Sequence, residues 1–137
     1  MRLLVIFTAV LLAFGCNSGN NANTDSDANN ISLNDGQKWV VNAEMTPFIN
    51  ESNNTLAEYI SSSDTDYLSL AKALKNQNSK LIKSCTMKGE SHDELHKWLH
   101  PHMGLINALA QADSDDTATQ IIKDLETSFN TYKTYFE

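Results

Sequence analysis

From residue 46 onward, apolar side chains recur at the three- and four-residue spacing of helices with one buried face. Thr46-Pro47 reads as a helix start, with Thr as N-cap and Pro in the first helical position. Ile49, Leu56 and Ile60 then keep the spacing, flanked by Phe48 and Tyr59. Ser61-Ser62-Ser63-Asp64 breaks the pattern and recaps the chain. Tyr67, Leu70, Ala71, Leu74, Leu81 and Cys85 give a second stripe, which Gly89 stops. Ser91 and Glu94 have the spacing of a capping box. They open a third stripe of Leu95, Leu99, Met103, Ile106 and Ala110, inside which Pro101 should kink or split the helix. Ser114-Asp115-Asp116 caps a fourth, with acids on the positive end of the helix dipole. Ile121, Ile122, Leu125, Phe129, Tyr132 and Phe136 complete it. Four amphipathic helices of similar length, joined by short connections, predict an all-α, antiparallel up-down-up-down four-helix bundle over residues 36–137. Residues 36–42 fit either a short extended piece or a frayed helical turn.

The pattern upstream is different. Residues 17–34 are rich in Asn, Ser and Asp and almost devoid of apolar side chains, so they cannot offset their ordering entropy and read as a flexible tether. Before them, Arg2 precedes the apolar run Leu3–Phe14, and Gly15 sits just ahead of Cys16. That is the layout of a secretory leader, too short for a comfortable spanning helix. The run Leu12-Ala13-Phe14-Gly15-Cys16 resembles the lipobox of bacterial lipoproteins, whose cysteine is lipidated and becomes the first mature residue. An ordinary leader followed by an unrelated cysteine is the alternative. The organisation expected is therefore a signal peptide over 1–15, lipidated Cys16 with a flexible tether over 16–35, and the bundle over 36–137.

Charge narrows the partners. The chain carries a formal net charge of −7, and the leader contains one basic residue and no acidic one, so the remainder is more acidic still. Such a surface repels phosphates and argues against nucleic acid. It also argues against a polybasic membrane contact, which leaves the lipid on Cys16 as the membrane partner. The expected location is the cell envelope, lipid-anchored and facing the periplasm. Asn17 after Cys16 is compatible with the outer membrane. Of two cysteines, Cys16 is committed to lipid, and Cys85 is then a single thiol in an oxidising compartment, without an intramolecular partner.

Candidate chemistry is concentrated in one stretch. All four histidines, Cys85, Met87 and Met103 fall between residues 85 and 103. His92 and His96 are four apart, as are His96 and His100, so each pair shares a helix face. By this spacing His92 lies near the centre of the apolar stripe, His96 at its edge and His100 toward solvent. In an up-down bundle the start of the first helix, the end of the second and the start of the third share one end. Trp39, Asn42 and Met45 should then approach Cys85, Met87, His92 and His96. A thiolate, thioethers and imidazoles form a soft donor set that favours Cu(I), with Zn(II) next. Cys85 and His92 would be primary ligands, completed from His96, Met87 and Met45. Each residue also has an ordinary reading. Cys85, Met45 and Met103 serve equally as core, His92 as a residue of the helix start, and His100 and His102 as solvated flanks of Pro101.

There is no C-x-x-C, no C-x-x-C-H, no H-E-x-x-H, no phosphate loop and no convincing pair of carboxylates, so no enzymatic activity is expected. The block Cys85-Thr86-Met87-Lys88-Gly89-Glu90-Ser91-His92-Asp93-Glu94-Leu95-His96, with Lys38-Trp39-x-x-Asn42 upstream, resembles a group of small uncharacterised bacterial lipoproteins that carry a C-T-M-K-G-x-x-H-x-x-L-H element. That resemblance implies a small helical envelope protein and assigns no ligand. Three readings follow: a lipid-anchored bundle that binds copper for buffering, sensing or transfer; a cofactor-free module that binds an envelope protein partner; and a bundle holding non-covalent haem between its helices.

Overall fold

The computed structural model describes residues 30–137. The leader, Cys16 and the tether as far as residue 29 lie outside the described residues. Four helices run in sequence: α1 Thr46–Ser62, α2 Tyr67–Ser84, α3 Glu90–Leu109 and α4 Asp115–Tyr135. Each packs on its neighbours in chain order, and α4 closes back on α1. This is the antiparallel up-down-up-down arrangement that the four stripes predict. Among the described residues no helix is long and apolar enough to cross a membrane.

The stripes form the core. Ile49 and Leu56 from α1, Leu70, Leu74 and Leu81 from α2, Leu95, Leu99 and Ile106 from α3, and Ile122, Leu125 and Phe129 from α4 are buried together. The helix ends differ in how they are made. Ser114 caps α4, accepting the Thr117 N–H at 3.2 Å. Asp66, rather than the Ser61–Asp64 run, caps α2 and accepts the Ser69 N–H at 3.0 Å. The expected N-cap at Thr46 is not found: Met45 takes the cap position with no side-chain bond, and Thr46 and Pro47 are already helical. Pro101 does not split α3, which runs through it.

Two corrections concern the segment before α1. The folded part begins upstream of residue 36, inside the stretch expected to be tether. Ile31 is buried in the core, and the Ser32 N–H donates to a Glu94 carboxylate oxygen at 2.8 Å. Asn34 and Gln37 close a tight turn with reciprocal backbone bonds of 2.9 Å, placing Asp35 and Gly36 at positive φ. Gly36 belongs to this turn, and from residue 37 the ambiguity over 36–42 resolves to extended chain. The Trp39 N–H donates to the Tyr135 carbonyl at 2.8 Å, and the Glu137 N–H returns to the Trp39 carbonyl at 2.9 Å. The two ends of the domain are thus zipped together beside α4. Trp39 is buried there, its indole N–H donating to the Ser32 carbonyl at 2.6 Å.

Candidate metal-binding site

The 85–89 connection is held from below by Asn42. Its amide nitrogen donates to the Ser84 carbonyl at 3.0 Å, and its carbonyl accepts the Thr86 N–H at 3.2 Å. One side chain therefore satisfies both the last turn of α2 and the loop beyond it, and fixes that loop to the entrance of α1. The shared end expected from topology is present. Cys85 ends α2 in extended conformation. Gly89 starts α3 at φ +69°, ψ −154°, a region that side chains other than glycine avoid.

Ser91 and Glu94 do not form a capping box, and α3 begins at Glu90 without a side-chain cap. Glu94 is buried and turned to other uses. It accepts the Ser32 N–H and pairs with Lys97, whose ammonium also donates to the Asn30 carbonyl at 3.1 Å. Burial pushes the Glu94 carboxyl up, but hydrogen bonds from Lys97 and Ser32 and the charge of Lys97 outweigh it and hold the group below its ordinary value.

The histidines separate into two groups. His92, His96 and His100 form a ladder along one side of α3, with ring centroids 4.3 Å apart for the first pair and 4.8 Å for the second. His92 and His96 are half-buried and His100 is exposed. The centre of the buried stripe is thus not His92 but Leu95, Trp98, Leu99, His102, Ile106 and Leu109. Burial first, then repulsion from His92 and His100, holds the His96 imidazole below the usual histidine range, against an opposing pull from Asp93. Neutral imidazoles of this kind are the form that binds metal.

His102 belongs to the other group. It is 1% exposed, stacked on Trp98 at 4.7 Å, edge-on to Phe129, and its Nδ1 lies 2.9 Å from the Ser128 hydroxyl. It is a core residue and not a solvated flank of Pro101. The spacing signals this, because 95, 99, 102, 106 and 109 are successive steps of four and three, and Met103 is off that register.

Cys85 and Met87 are half-buried and pack against the core cluster, while Met45 is fully buried within it. Among the described residues no three His, Cys, Asp or Glu side chains gather into a ready metal-holding group. Of the expected site residues, the structure brings the rings of His92 and His96 together. At the opposite end of the bundle a shallow cleft of about 250 Å³ is lined by Tyr59, Tyr67, Asp64 and Asp115 among others, and holds none of the expected site residues. No protein-family model, curated protein or solved structure matches the chain.

Proposed function

We propose that this is a lipid-anchored envelope protein whose helical bundle binds a soft metal ion, Cu(I), at the end formed by the 85–89 loop and the start of α3. The observation that carries the reading is the His92–His96 pair. Two imidazoles four residues apart stand with centroids 4.3 Å apart on a partly accessible face. The thiol and thioether of Cys85 and Met87 lie on the connection leading into the same helix, and Asn42 anchors that connection. A soft donor set of this composition favours Cu(I). Cys85 and His92 are the primary ligands, with His96, Met87 and Met45 completing the set. The role is buffering, sensing or handing on the ion.

Asn30 meets Lys97 on the second turn of α3, so the chain from Cys16 enters the domain at the end that carries the site. Fully extended, the stretch from Cys16 to Asn30 reaches at most roughly 50 Å. That reach exceeds the roughly 30 Å length of the longest helix, so the anchor holds the site at the envelope membrane without fixing which end of the bundle faces it.

Two experiments test these statements. Metabolic labelling with a clickable fatty acid should mark the wild type and not Cys16→Ser; label retained in the variant would refute the anchor. In a Cu(I) competition titration on the full-length protein in detergent, Cys85→Ala and His92→Ala should each lower affinity at least about tenfold, or 1.4 kcal/mol. The double variant should lose less than the sum, since both changes dismantle one site. Equal affinity in wild type and both single variants would overturn the copper reading.

A further inference from the structure

His96 is a member of two imidazole pairs at once. Its ring lies 4.3 Å from that of His92 and 4.8 Å from that of His100, with interplanar angles of 53° and 58°. The two pairs have nearly the same geometry because both are single i, i+4 steps on one continuous helix. The donors are imidazoles only, and imidazole suits borderline divalent ions such as Zn(II) rather than Cu(I) alone. No third His, Cys, Asp or Glu joins either pair among the described residues, so a bound ion keeps coordination positions open to water or to a donor from a second molecule.

We infer that His92, His96 and His100 form two overlapping sites for a divalent ion, with His96 as the shared ligand, between which a single ion steps along α3. This deepens the reading of this end as a metal site and rests on it, but it uses a donor set that excludes Cys85. An ion held by His92 and His96 and one held by His96 and His100 exclude each other, because the middle imidazole has one lone pair to give. The ladder therefore binds one ion and not two. It also runs from the half-buried His92, next to the thiol-bearing loop, to the exposed His100. Such a path would carry an ion between the enclosed end and an incoming partner.

The arrangement dictates an uneven response to single substitutions. With two similar overlapping pairs, the apparent association constant is the sum of both. Deleting either terminal ligand leaves one pair and costs only about twofold, whereas deleting the shared ligand leaves two isolated imidazoles and costs at least about tenfold, the equivalent of 1.4 kcal/mol. The test is titration of the full-length protein in detergent with Zn(II), which has no redox chemistry with the thiol, against a chelating indicator. Cys85→Ala, which removes the thiol ligand of the copper site, should still bind one Zn(II), and in that background His92→Ala and His100→Ala should each weaken it about twofold. His96→Ala and the double variant His92→Ala/His100→Ala should fall together to the same low level. Far-UV spectra of all variants should remain helical, since none of the three side chains is in the core.

Absence of Zn(II) binding by Cys85→Ala would overturn the inference, as would, in that background, a His96→Ala loss no larger than that of His92→Ala, or two bound ions. None of these results bears on the Cu(I) titration of Cys85 and His92, so the proposed copper site and the ladder can fail separately.

Discussion

The buried His102 makes the protein's stability depend on pH in a way that can be worked out. Its imidazole is enclosed by Trp98, Phe129 and Ser128, with 1% of its surface exposed. Burial, which penalises the charged form, pushes its pKa from 6.5 down to about 4. In the unfolded chain the same side chain takes up a proton near 6.5. Above that pH neither state is protonated and stability is complete. Between 6.5 and about 4 the unfolded state binds a proton that the folded state refuses, so stability falls as pH falls. Below about 4 both states are protonated and the loss stops growing. At about 1.4 kcal/mol per pH unit, the total is about 3 kcal/mol. That is a large share of the roughly 5–15 kcal/mol that holds a domain folded.

The measurement is urea unfolding at a series of pH values between 7 and 4, on wild type and His102→Gln. Gln keeps a polar group facing Ser128 but does not titrate in this range. Carboxylates such as Glu94 also lose stabilising bonds on acidification, but they do so in both proteins and cancel in the difference. Whatever the substitution costs at pH 7, wild type should lose about 3 kcal/mol more than the variant on going to pH 4. Parallel profiles, or a His102 ring signal that titrates near 6.5 in the folded protein, would refute the reasoning.

Other substitutions probe the frame around the site. Leu99→Ala, which empties a buried position on α3, should cost about 2–5 kcal/mol in urea unfolding. Phe136→Ala removes a ring that is 1% exposed and stacked on Tyr132 at 5.3 Å; it should cost about 3–5 kcal/mol and speed hydrogen exchange at the Trp39 and Val41 amides. Asn42→Ala removes the bonds to the Ser84 carbonyl and to the exposed Thr86 N–H. It should cost about 1–2 kcal/mol and raise exchange over residues 84–88 while leaving the far end of the bundle unchanged.

The parts of the fold that were legible beforehand are those set by local rules. The stripes of α1, α2 and α4 and the Ser114 cap follow from spacing and from side chains within a turn of one another. The parts that were not legible depend on contacts distant in sequence. Glu94 has the spacing of a capping-box residue, yet it serves Ser32, 62 residues away, and Lys97. Residues 30–35 have the composition of a tether, but one buried apolar side chain, Ile31, and bonds with Glu94, Trp39 and Lys97 tie them to the bundle. His102 was hidden by its polarity although its register was correct: a histidine in the core is stable only with a partner, and Ser128 lies on another helix. Of the candidate site, helical spacing alone supplied the His92–His96 pair. The relation of Cys85 and Met87 to that pair depends on the path of the 85–89 loop, which no periodicity sets.

The C-T-M-K-G-x-x-H-x-x-L-H element can now be divided by what the fold requires. Leu95 is required, being completely buried. Gly89 is required by a backbone angle of φ +69° at the start of α3. Trp39 and Asn42, which accompany the element upstream, are required to close the domain and to hold the loop. His92 and His96 are not: they are half-buried and lie off the core stripe. Histidine is also a poorer helix former than alanine, leucine or lysine. Neither side chain makes a hydrogen bond to the rest of the bundle among those described; their ring contacts are with each other and with His100. A sequence selected for this fold alone would gain by placing lysine or glutamate there, while burial and the neighbouring imidazoles disfavour the charged form of His96. The fold alone thus gives no reason for histidine at 92 and 96, which is the physical case for looking for the protein's function at these residues.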